Sequence, residues 1–220
     1  MAMKAVFPAF DGLSAAETVQ TGSYAHQDVK RALDVVIALL ALIVLSPILA
    51  LATLAVALDT PGPILFCQRR TGLNGKPFGL YKFRSMTVLE DGAEVIQAVA
   101  GDARVTRTGR LMRASSIDEL PQLFNVLAGD MSLVGPRPHA LAHDEYYGAR
   151  IASYGRRFAV KPGITGWAQV AGARGATPTL DHMQARIDLD IWYADHAGLG
   201  LDLLILARTP LEVLRHRNAV

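Results

Sequence analysis

The chain has 220 residues, of which 51% are hydrophobic, and its formal net charge at pH 7 is +2. This length allows one domain of ordinary size with an appendage, and the near-neutral charge gives no reason to expect a nucleic-acid partner. The single cysteine, Cys67, excludes an internal disulfide and fits a reducing compartment, and its place between Phe66 and Gln68 predicts a buried or half-buried thiol on a strand.

An apolar run at residues 32–58 follows a tail that we predict to be flexible. The tail, residues 1–27, is rich in Gly, Ser, Ala and Pro and shows no sustained hydrophobic period. The apolar run exceeds the roughly 20 residues that a membrane-spanning helix requires. It begins too late in the chain, and is too long, to be the apolar core of a signal peptide. We therefore expect a membrane helix over residues 28–59.

Ser46 and Pro47 interrupt the apolar run near its middle. Proline removes the amide that would bond the carbonyl group of Ile43, and the Ser46 hydroxyl can reach back to that carbonyl or to the carbonyl of Leu42. Each half of the run is then shorter than the roughly 30 Å hydrocarbon core of a bilayer. The residues that flank the run at both ends include cations, which favour the cytoplasmic side: Lys30, Arg31, Arg69, Arg70, Lys76, Lys82 and Arg84. We therefore predict a re-entrant helix that turns at Ser46-Pro47, with a single kinked spanning helix and a buried core helix of a soluble protein as alternatives.

A β-hairpin is predicted beyond the membrane segment. Residues 64–70 and 78–83 have strand character, and Asn74-Gly75 between them is a hairpin turn signal. Strand alternation places Lys82 and Arg84 on one face of the second strand. Two cations side by side suit an anionic ligand, although a charged edge strand that discourages aggregation is an equally good interpretation.

Three short helices are predicted next, at residues 87–99, at residues 108–113 and around residues 120–127. Asp118 and Glu119 precede the third helix, where Ser116 and Glu119 match a capping box. With Ser116 as the N-cap, however, Pro121 would lie inside the helix and would destabilise it by on the order of 3 kcal/mol.

We therefore expect the third helix to begin at Pro121, with Leu120 in an extended conformation. Asp118 and Glu119 would then lie just outside a helix N-terminus, whose partial positive charge keeps carboxylates ionised and attracts phosphate. Adjacent carboxylates can serve as a metal ligand and a nucleophile. Mg²⁺ suits oxygen ligands and substrate phosphates, and the chain has no cysteine cluster for zinc.

Further candidates lie on the C-terminal side of the carboxylates. Arg137 stands between two prolines on a stiff backbone, which prepares its guanidinium for two-pronged contact with phosphate, and Arg113 adds a second cation. The segment 160–170, VKPGITGWAQV, is either a structural turn or a binding loop. At the C-terminal end, residues 201–220 combine apolar residues with arginines as an interfacial helix would, with a soluble packing helix as the alternative.

Several motifs of the chain, in order, resemble those of the bacterial sugar transferases, the monotopic polyprenyl-phosphate phosphoglycosyl transferases. They are KRALDVVIALLALIVLSP, KFRSM, SSIDELPQLFNVLAGDMSLVGPRP and KPGITGWAQV. The resemblance extends from about residue 26 to residue 215. Two further stretches, GPRPHALAHDEYY and GWAQVAGARGATPTLDHMQARIDLDIWY, are most similar to the branch that transfers glucose-1-phosphate in exopolysaccharide synthesis. Galactose-1-phosphate and an N-acetylhexosamine-1-phosphate are the alternatives.

The predicted fold class is α+β, mainly helical with a small β-hairpin, one re-entrant membrane helix broken at Ser46-Pro47, and interfacial amphipathic helices. The predicted order is a flexible tail at 1–27, the re-entrant helix at 28–59, and a cytosol-facing catalytic domain at 60–220 that ends in an interfacial helix.

The resemblance implies a ping-pong enzyme that moves a sugar-1-phosphate from a UDP-sugar to undecaprenyl phosphate and releases UMP at the cytosolic face of the bacterial inner membrane. It implies that Asp118 forms a phosphosugar-aspartyl intermediate and that Glu119 binds Mg²⁺. The implied phosphate or substrate contacts are Lys82, Arg84, Arg113 and Arg137. Membrane lipid is an expected partner, and a homo-oligomer is left open. The rival interpretation is a non-catalytic, membrane-anchored adaptor with a phosphate-binding surface, which would not need Asp118.

Overall fold

The computed structural model describes residues 27–87, 101–175 and 177–214. Within these ranges the chain is mainly helical and has two small two-stranded sheets. The predicted mainly helical class with a hairpin is confirmed, whereas the second sheet was not predicted. The predicted tail and the predicted helix at 87–99 lie outside the described residues, apart from one residue of each.

Helix α1 (Gln27–Asp59) contains the apolar run and continues through Ser46 and Pro47 as one helix. The predicted break of the helix at Ser46-Pro47 is therefore not confirmed, and the re-entrant path stays a prediction. The Ser46 hydroxyl donates to the carbonyl oxygen of Ile43 at 2.8 Å, which is the carbonyl that Pro47 leaves without its helical donor. This predicted contact is confirmed. Among the described residues, α1 is the one helix long and apolar enough to cross a membrane, and its middle is largely exposed.

The predicted hairpin is present as strands β1 (Leu65–Thr71) and β2 (Pro77–Phe83), paired antiparallel. Its turn at Asn74-Gly75 is also confirmed, because both residues have positive φ angles, 56° and 75°. The expectation for Cys67 is wrong. Its side chain is exposed, because the strand turns Gln68 toward the interior instead.

Helices α2 (Arg107–Ser115) and α3 (Gln122–Ala128) flank a 3₁₀ turn, Ile117–Glu119. Helix α3 begins immediately after Pro121, so both carboxylates lie outside it, as expected. Ser116 does not cap α3, because it adopts the left-handed conformation that ends α2.

The expected extended conformation of Leu120 is wrong. Its φ and ψ angles are −56° and −33°, which are helical. The Leu120 amide donates to the carbonyl oxygen of Ile117 at 3.1 Å, so the 3₁₀ turn runs into α3 without an extended step. The hydrogen bonds of this turn outweigh the usual preference of a residue that precedes proline.

A parallel pair, β3 (Ser132–Val134) and β4 (Gly163–Thr165), joins two of the sequence motifs. The two backbone segments approach each other so closely that glycine is needed at both positions. A Cβ atom on Gly135 would lie 2.2 Å from the carbonyl oxygen of Lys161, and one on Gly163 would lie 2.1 Å from the amide nitrogen of Gly135. These contacts favour the structural interpretation of the segment 160–170.

The remaining helices are α4 (Leu141–Gly148), α5 (Trp167–Val170), α6 (Leu180–His196) and α7 (Leu199–Leu214). The main core gathers apolar residues from several of these elements, among them Ala38, Leu80, Val126, Val134 and Ile205. Helix α7 buries Asp202 and Ile205 and exposes leucines on its other side. Its predicted interfacial role stays a prediction.

Both ends of α1 are bound to the same globular body. Near the N-terminal end, Asp34 accepts a hydrogen bond from the amide of Leu133 at 3.1 Å, and Ala38 packs in the main core. At the C-terminal end, Asp59 accepts one from the amide of Thr108 at 3.1 Å. The exposed middle of the helix therefore lies between two anchored ends.

Candidate active site

The carboxylate of Glu119 is held by two cations from different parts of the chain. Lys82, on β2, donates to Oε1 at 3.0 Å. Arg137, which follows β3, donates from Nη1 to Oε2 at 3.0 Å and from Nη2 to Oε1, in a two-pronged ion pair. The Glu119 side chain is only 16% exposed, so this arrangement fixes its position and its charge.

Asp118 lies beside Glu119 in a different setting. Its residue is 5% exposed, and its carboxylate accepts no hydrogen bond from any residue that the structure describes. Lys82, Arg113 and Arg137 are near enough to act on its charge. Of these three cations, Lys82 and Arg137 bond Glu119, while the Asp118 oxygens stay available for another partner.

The environments of the two carboxylates move their pKa values in opposite directions. Burial, and then the charge of Glu119, raises the pKa of Asp118 above its usual range, against the opposing effect of the cations. Burial would also raise the pKa of Glu119, but Arg137 and Lys82 outweigh it and hold that pKa well below its usual range. We expected the helix N-terminus to favour ionisation of both residues. For Asp118 the shift of the pKa is in the opposite direction, because its burial has the largest effect.

The structure brings most of the predicted site residues together around the 3₁₀ turn. These are Asp118, Glu119, Lys82, Arg113 and Arg137. Arg113 reaches the cluster from the last turn of α2, where its side chain also donates to the sulfur of Met86 at 3.8 Å.

Arg84 is not part of this cluster, although the sequence pairs it with Lys82. Its guanidinium donates to the carbonyl oxygens of Val56 at 3.3 Å and Pro61 at 2.9 Å, and also to that of Thr60. The residue is 4% exposed, so these contacts tie the end of α1 to the hairpin. The substrate contact predicted for Arg84 is not supported by this setting and stays a prediction.

A second buried ion pair holds the backbone of Arg137. Arg157 donates from Nη2 to Asp190 at 2.7 Å and, from the same nitrogen, to the main-chain carbonyl oxygen of Arg137. Both Arg157 and Asp190 are 2% exposed. Arg157 therefore holds the main chain of Arg137, while the side chain of Arg137 bonds Glu119.

Sequence reasoning missed Arg157 and Asp190. It also missed two residues that bond the segments carrying the site residues, namely Arg174 and Asn125. Arg174 donates to the hydroxyl of Ser116 at 2.8 Å, next to the carboxylate turn. Asn125, fully buried on α3, bonds the main chain of β2. A lone amide within the apolar stretch LFNVL is a signal of a buried hydrogen bond, whereas nothing local marks the arginines.

A profile of the family described as "Bacterial sugar transferase" matches residues 25–216. The chain belongs to the bacterial sugar transferase family. The family and the enzyme class predicted from the sequence, a transferase, are thereby confirmed, and the adaptor interpretation loses its support.

Three relatives of this family member carry informative names. A protein of Caulobacter vibrioides is 56% identical over 86% of this chain and 71% of its own length, and one of Escherichia coli is 50% identical over 82% and 39%. Both are named UDP-glucose:undecaprenyl-phosphate glucose-1-phosphate transferase. A protein of Aeromonas hydrophila, 40% identical over 84% of this chain and 44% of its own length, is named UDP-N-acetylgalactosamine-undecaprenyl-phosphate N-acetylgalactosaminephosphotransferase. The chain thus spans less than half the length of the second and third relatives.

The carboxylate pair of this family member fits a divalent cation only with help from a substrate. Asp118 accepts no hydrogen bond from the described residues, and Oε2 of Glu119 accepts one, so oxygen lone pairs remain. No group of three or more His, Cys, Asp or Glu side chains with metal-binding geometry occurs in the described part of the chain. Mg²⁺ is commonly bound by one or two carboxylates together with substrate phosphates, which matches this donor set.

Proposed function

We propose that the chain transfers a sugar-1-phosphate, with glucose-1-phosphate as the first choice, from a UDP-sugar to undecaprenyl phosphate and releases UMP. The observation that carries this proposal is the contrast within the carboxylate pair. Glu119 is bonded by Lys82 and Arg137, while Asp118 beside it accepts no hydrogen bond from the described residues. The names of the relatives supply the substrate class.

In the first step, a carboxylate oxygen of Asp118 attacks the sugar-bearing phosphorus of the UDP-sugar. The new bond joins that oxygen to phosphorus, and the bond from phosphorus to the bridging oxygen breaks, so that UMP leaves with the electron pair. The product on the enzyme is a phosphosugar-aspartyl intermediate. Covalent catalysis of this kind divides a difficult transfer into two easier displacements.

In the second step, a phosphate oxygen of undecaprenyl phosphate attacks the same phosphorus. The bond to Asp118 breaks, its carboxylate is regenerated, and the sugar diphosphate lipid leaves. Negative charge on the phosphoryl oxygens is stabilised in both steps by Arg113 and by those guanidinium and ammonium hydrogens of Arg137 and Lys82 that do not bond Glu119.

Glu119 would hold Mg²⁺ together with substrate oxygens, beside the nucleophile Asp118. When bound, the ion would supply positive charge that offsets the charge of the diphosphate and the repulsion between the two carboxylates. Glu119 can contribute Oε2, while Lys82 and Arg137 keep the rest of its carboxylate in place.

The re-entrant topology belongs to the same proposal. Both ends of α1 bond one globular body, through Asp34 at one end and Asp59 at the other, and the apolar middle of the helix is exposed. A helix that crossed the bilayer would have to separate these two anchors by the full hydrocarbon thickness, about 30 Å. An entry and exit on one face leaves both anchors on the same side, which we infer to be the cytosolic side of the inner membrane.

The sugar is the least constrained part of the proposal. Relatives at 56% and 50% identity carry glucose in their names, and one at 40% carries N-acetylgalactosamine. We therefore place UDP-glucose first, with UDP-galactose and UDP-N-acetylhexosamines as the other candidates. A lipid-linked glucose of this kind would begin the synthesis of an exopolysaccharide or another glycoconjugate.

The test is UMP release by the full chain in detergent or nanodiscs with undecaprenyl phosphate and a panel of UDP-sugars. We expect turnover with UDP-glucose, and a loss on the order of 10³-fold or more on Asp118→Asn. The matched control is Asp130→Asn, the same chemical change at an exposed residue beyond α3, which should keep its activity. Turnover by Asp118→Asn equal to that of the wild type would eliminate the nucleophile assignment.

A further inference from the structure

Asn125 joins the helix that follows the carboxylate turn to the strand that carries Lys82. Its side-chain Nδ2 donates to the carbonyl oxygen of Gly79 at 2.7 Å, and its Oδ1 accepts from the amide of Tyr81 at 3.0 Å. One amide side chain therefore bonds a donor and an acceptor of the β2 main chain, as a neighbouring strand would. Asn125 is fully buried, so its side-chain amide has no water as an alternative partner.

The main chain of Asn125 is held as firmly as its side chain. Its carbonyl oxygen accepts from the amides of Gly129 and Asp130 at 3.1 Å and of Met131 at 3.3 Å. Gly129 ends α3 in the left-handed conformation, with φ at 94°. The chain then enters β3, which leads to Arg137. Asn125 thus stands where three segments meet, those that carry Lys82, Glu119 and Arg137.

Lys82 directly follows Tyr81, so the contact made by Asn125 fixes the strand one residue before the lysine. From there the Lys82 ammonium crosses to Glu119 at 3.0 Å, with 20% of its side chain exposed. The two segments are therefore joined twice, by an uncharged pair of hydrogen bonds and by an ion pair. A long lysine side chain loses considerable conformational freedom when it is held in one place, so a fixed backbone beneath it matters.

We propose that Asn125 is a positioning residue, which acts through the β2 main chain to hold the ammonium of Lys82 against the carboxylate of Glu119. This inference rests on the proposed transferase function. Asn125 touches neither carboxylate in the structure, and its effect on turnover passes through Lys82.

The test is a double-mutant cycle on UMP release. Asn125→Leu keeps the size of the side chain and removes both hydrogen bonds, and Lys82→Gln removes the ammonium. We expect each single change to lower kcat by on the order of tenfold or more, and we expect Asn125→Leu to cost less than about threefold further when Lys82→Gln is already present. If the loss of kcat in the double variant equalled the product of the losses in the two single variants, the proposal would be overturned, because Asn125 would then act independently of Lys82.

Val126→Ala is the matched control. Val126 is the next residue of α3 and is also fully buried, but its side chain belongs to the apolar core and bonds nothing on β2. Any fall in kcat that Val126→Ala causes by loss of packing should be the same fold-change with and without Lys82→Gln. If Asn125→Leu does not fold, Asn125→Ala also removes both hydrogen bonds and adds neither bulk nor charge. Its effect on kcat should likewise be largely absent when Lys82→Gln is already present.

A second readout does not need turnover and separates this inference from the proposed function. Zero-length carbodiimide coupling should join Lys82 to Glu119 in the wild type and in Val126→Ala, as detected by mass spectrometry, and should weaken in Asn125→Leu. Hydrogen exchange at the Tyr81 amide should become faster in Asn125→Leu alone. If the wild type turned over no UDP-sugar, the proposed function would fail, while these two measurements would still decide whether Asn125 positions Lys82. Unchanged coupling and exchange in Asn125→Leu would overturn the inference.

Discussion

The guanidinium of Arg137 meets the carboxylate of Glu119 with two nitrogens, although the residues are 18 positions apart in the chain. Lys82 bonds the same carboxylate from β2. Because these donors are directed at Glu119, the adjacent Asp118 is buried without a hydrogen bond from the described residues. A poorly compensated buried carboxylate costs stability and is reactive, and both consequences can be measured.

Asp118→Asn should raise the melting temperature at neutral pH, whereas Glu119→Gln should lower it. The pKa of Asp118 is raised on folding, so the cost of its charge appears as the pH rises through the folded-state pKa. The pKa of Glu119 is lowered on folding, so its stabilising contribution is present above its unfolded-state pKa and is lost as the pH falls through its folded-state pKa. Each kcal/mol would appear as roughly 2–4 °C in a chain of this size.

Thermal unfolding in detergent, measured from neutral to acidic pH, checks both signs. The curves of the two variants should approach that of the wild type as the pH falls, because protonation then removes the charge that each substitution removes. Asp130→Asn should follow the wild type throughout, since Asp130 is exposed. A destabilised Asp118→Asn variant at neutral pH would contradict the burial argument.

Arg137→Lys should lower turnover by roughly 10²-fold, because a lysine keeps the charge but cannot reproduce the two-pronged contact with Glu119 or orient two donors at a phosphoryl group. The measurement is kcat and KM for the UDP-sugar. Arg156→Lys is the control, since Arg156 pairs with Asp195 on the surface with 48% of its side chain exposed. Equal kcat and KM values for Arg137→Lys and the wild type would show that the two-pronged contact of Arg137 is unimportant for turnover.

Arg84→Met should reduce stability and leave KM for the UDP-sugar near the wild-type value. The guanidinium of Arg84 serves the carbonyl oxygens of Val56, Thr60 and Pro61, and the loss of hydrogen bonds from a buried charged donor costs about 1–3 kcal/mol. The measurements are the melting temperature and the kinetics of the same preparation. A large rise in KM without a change in melting temperature would instead favour the substrate contact predicted from the sequence.

Labelling of single cysteines should place both ends of α1 on one side of the membrane. In a Cys67→Ser background, Gln27→Cys at the start of α1 and Asn74→Cys at the hairpin turn should both react with an impermeant thiol reagent only from the cytosolic side. We expect this because both ends of the helix bond the same globular body. Labelling from opposite sides would establish a spanning helix.

Local rules were sufficient for the secondary structure near the site. The sequence predicted the hairpin turn at Asn74-Gly75, the bond from Ser46 to the Ile43 carbonyl, and the start of α3 after both carboxylates, because each depends on residues within one turn. The same reasoning failed for Leu120, where hydrogen bonds of the 3₁₀ turn override the preference of a residue before proline. It failed for Cys67 because the buried face of an edge hairpin depends on what packs against it.

By itself the sequence determined the family and the long apolar helix. It also put forward six candidate site residues: Lys82, Arg84, Arg113, Asp118, Glu119 and Arg137. Only the tertiary structure decided that Arg84 turns away to the end of α1, and that Asn125 and Arg157 hold the segments that carry the cations. The physical reason is that a motif specifies which groups are present, whereas the partner of a buried charge is set by contacts between residues far apart in the chain. The opposite pKa shifts of two adjacent carboxylates follow from those contacts and from burial, which no local pattern encodes.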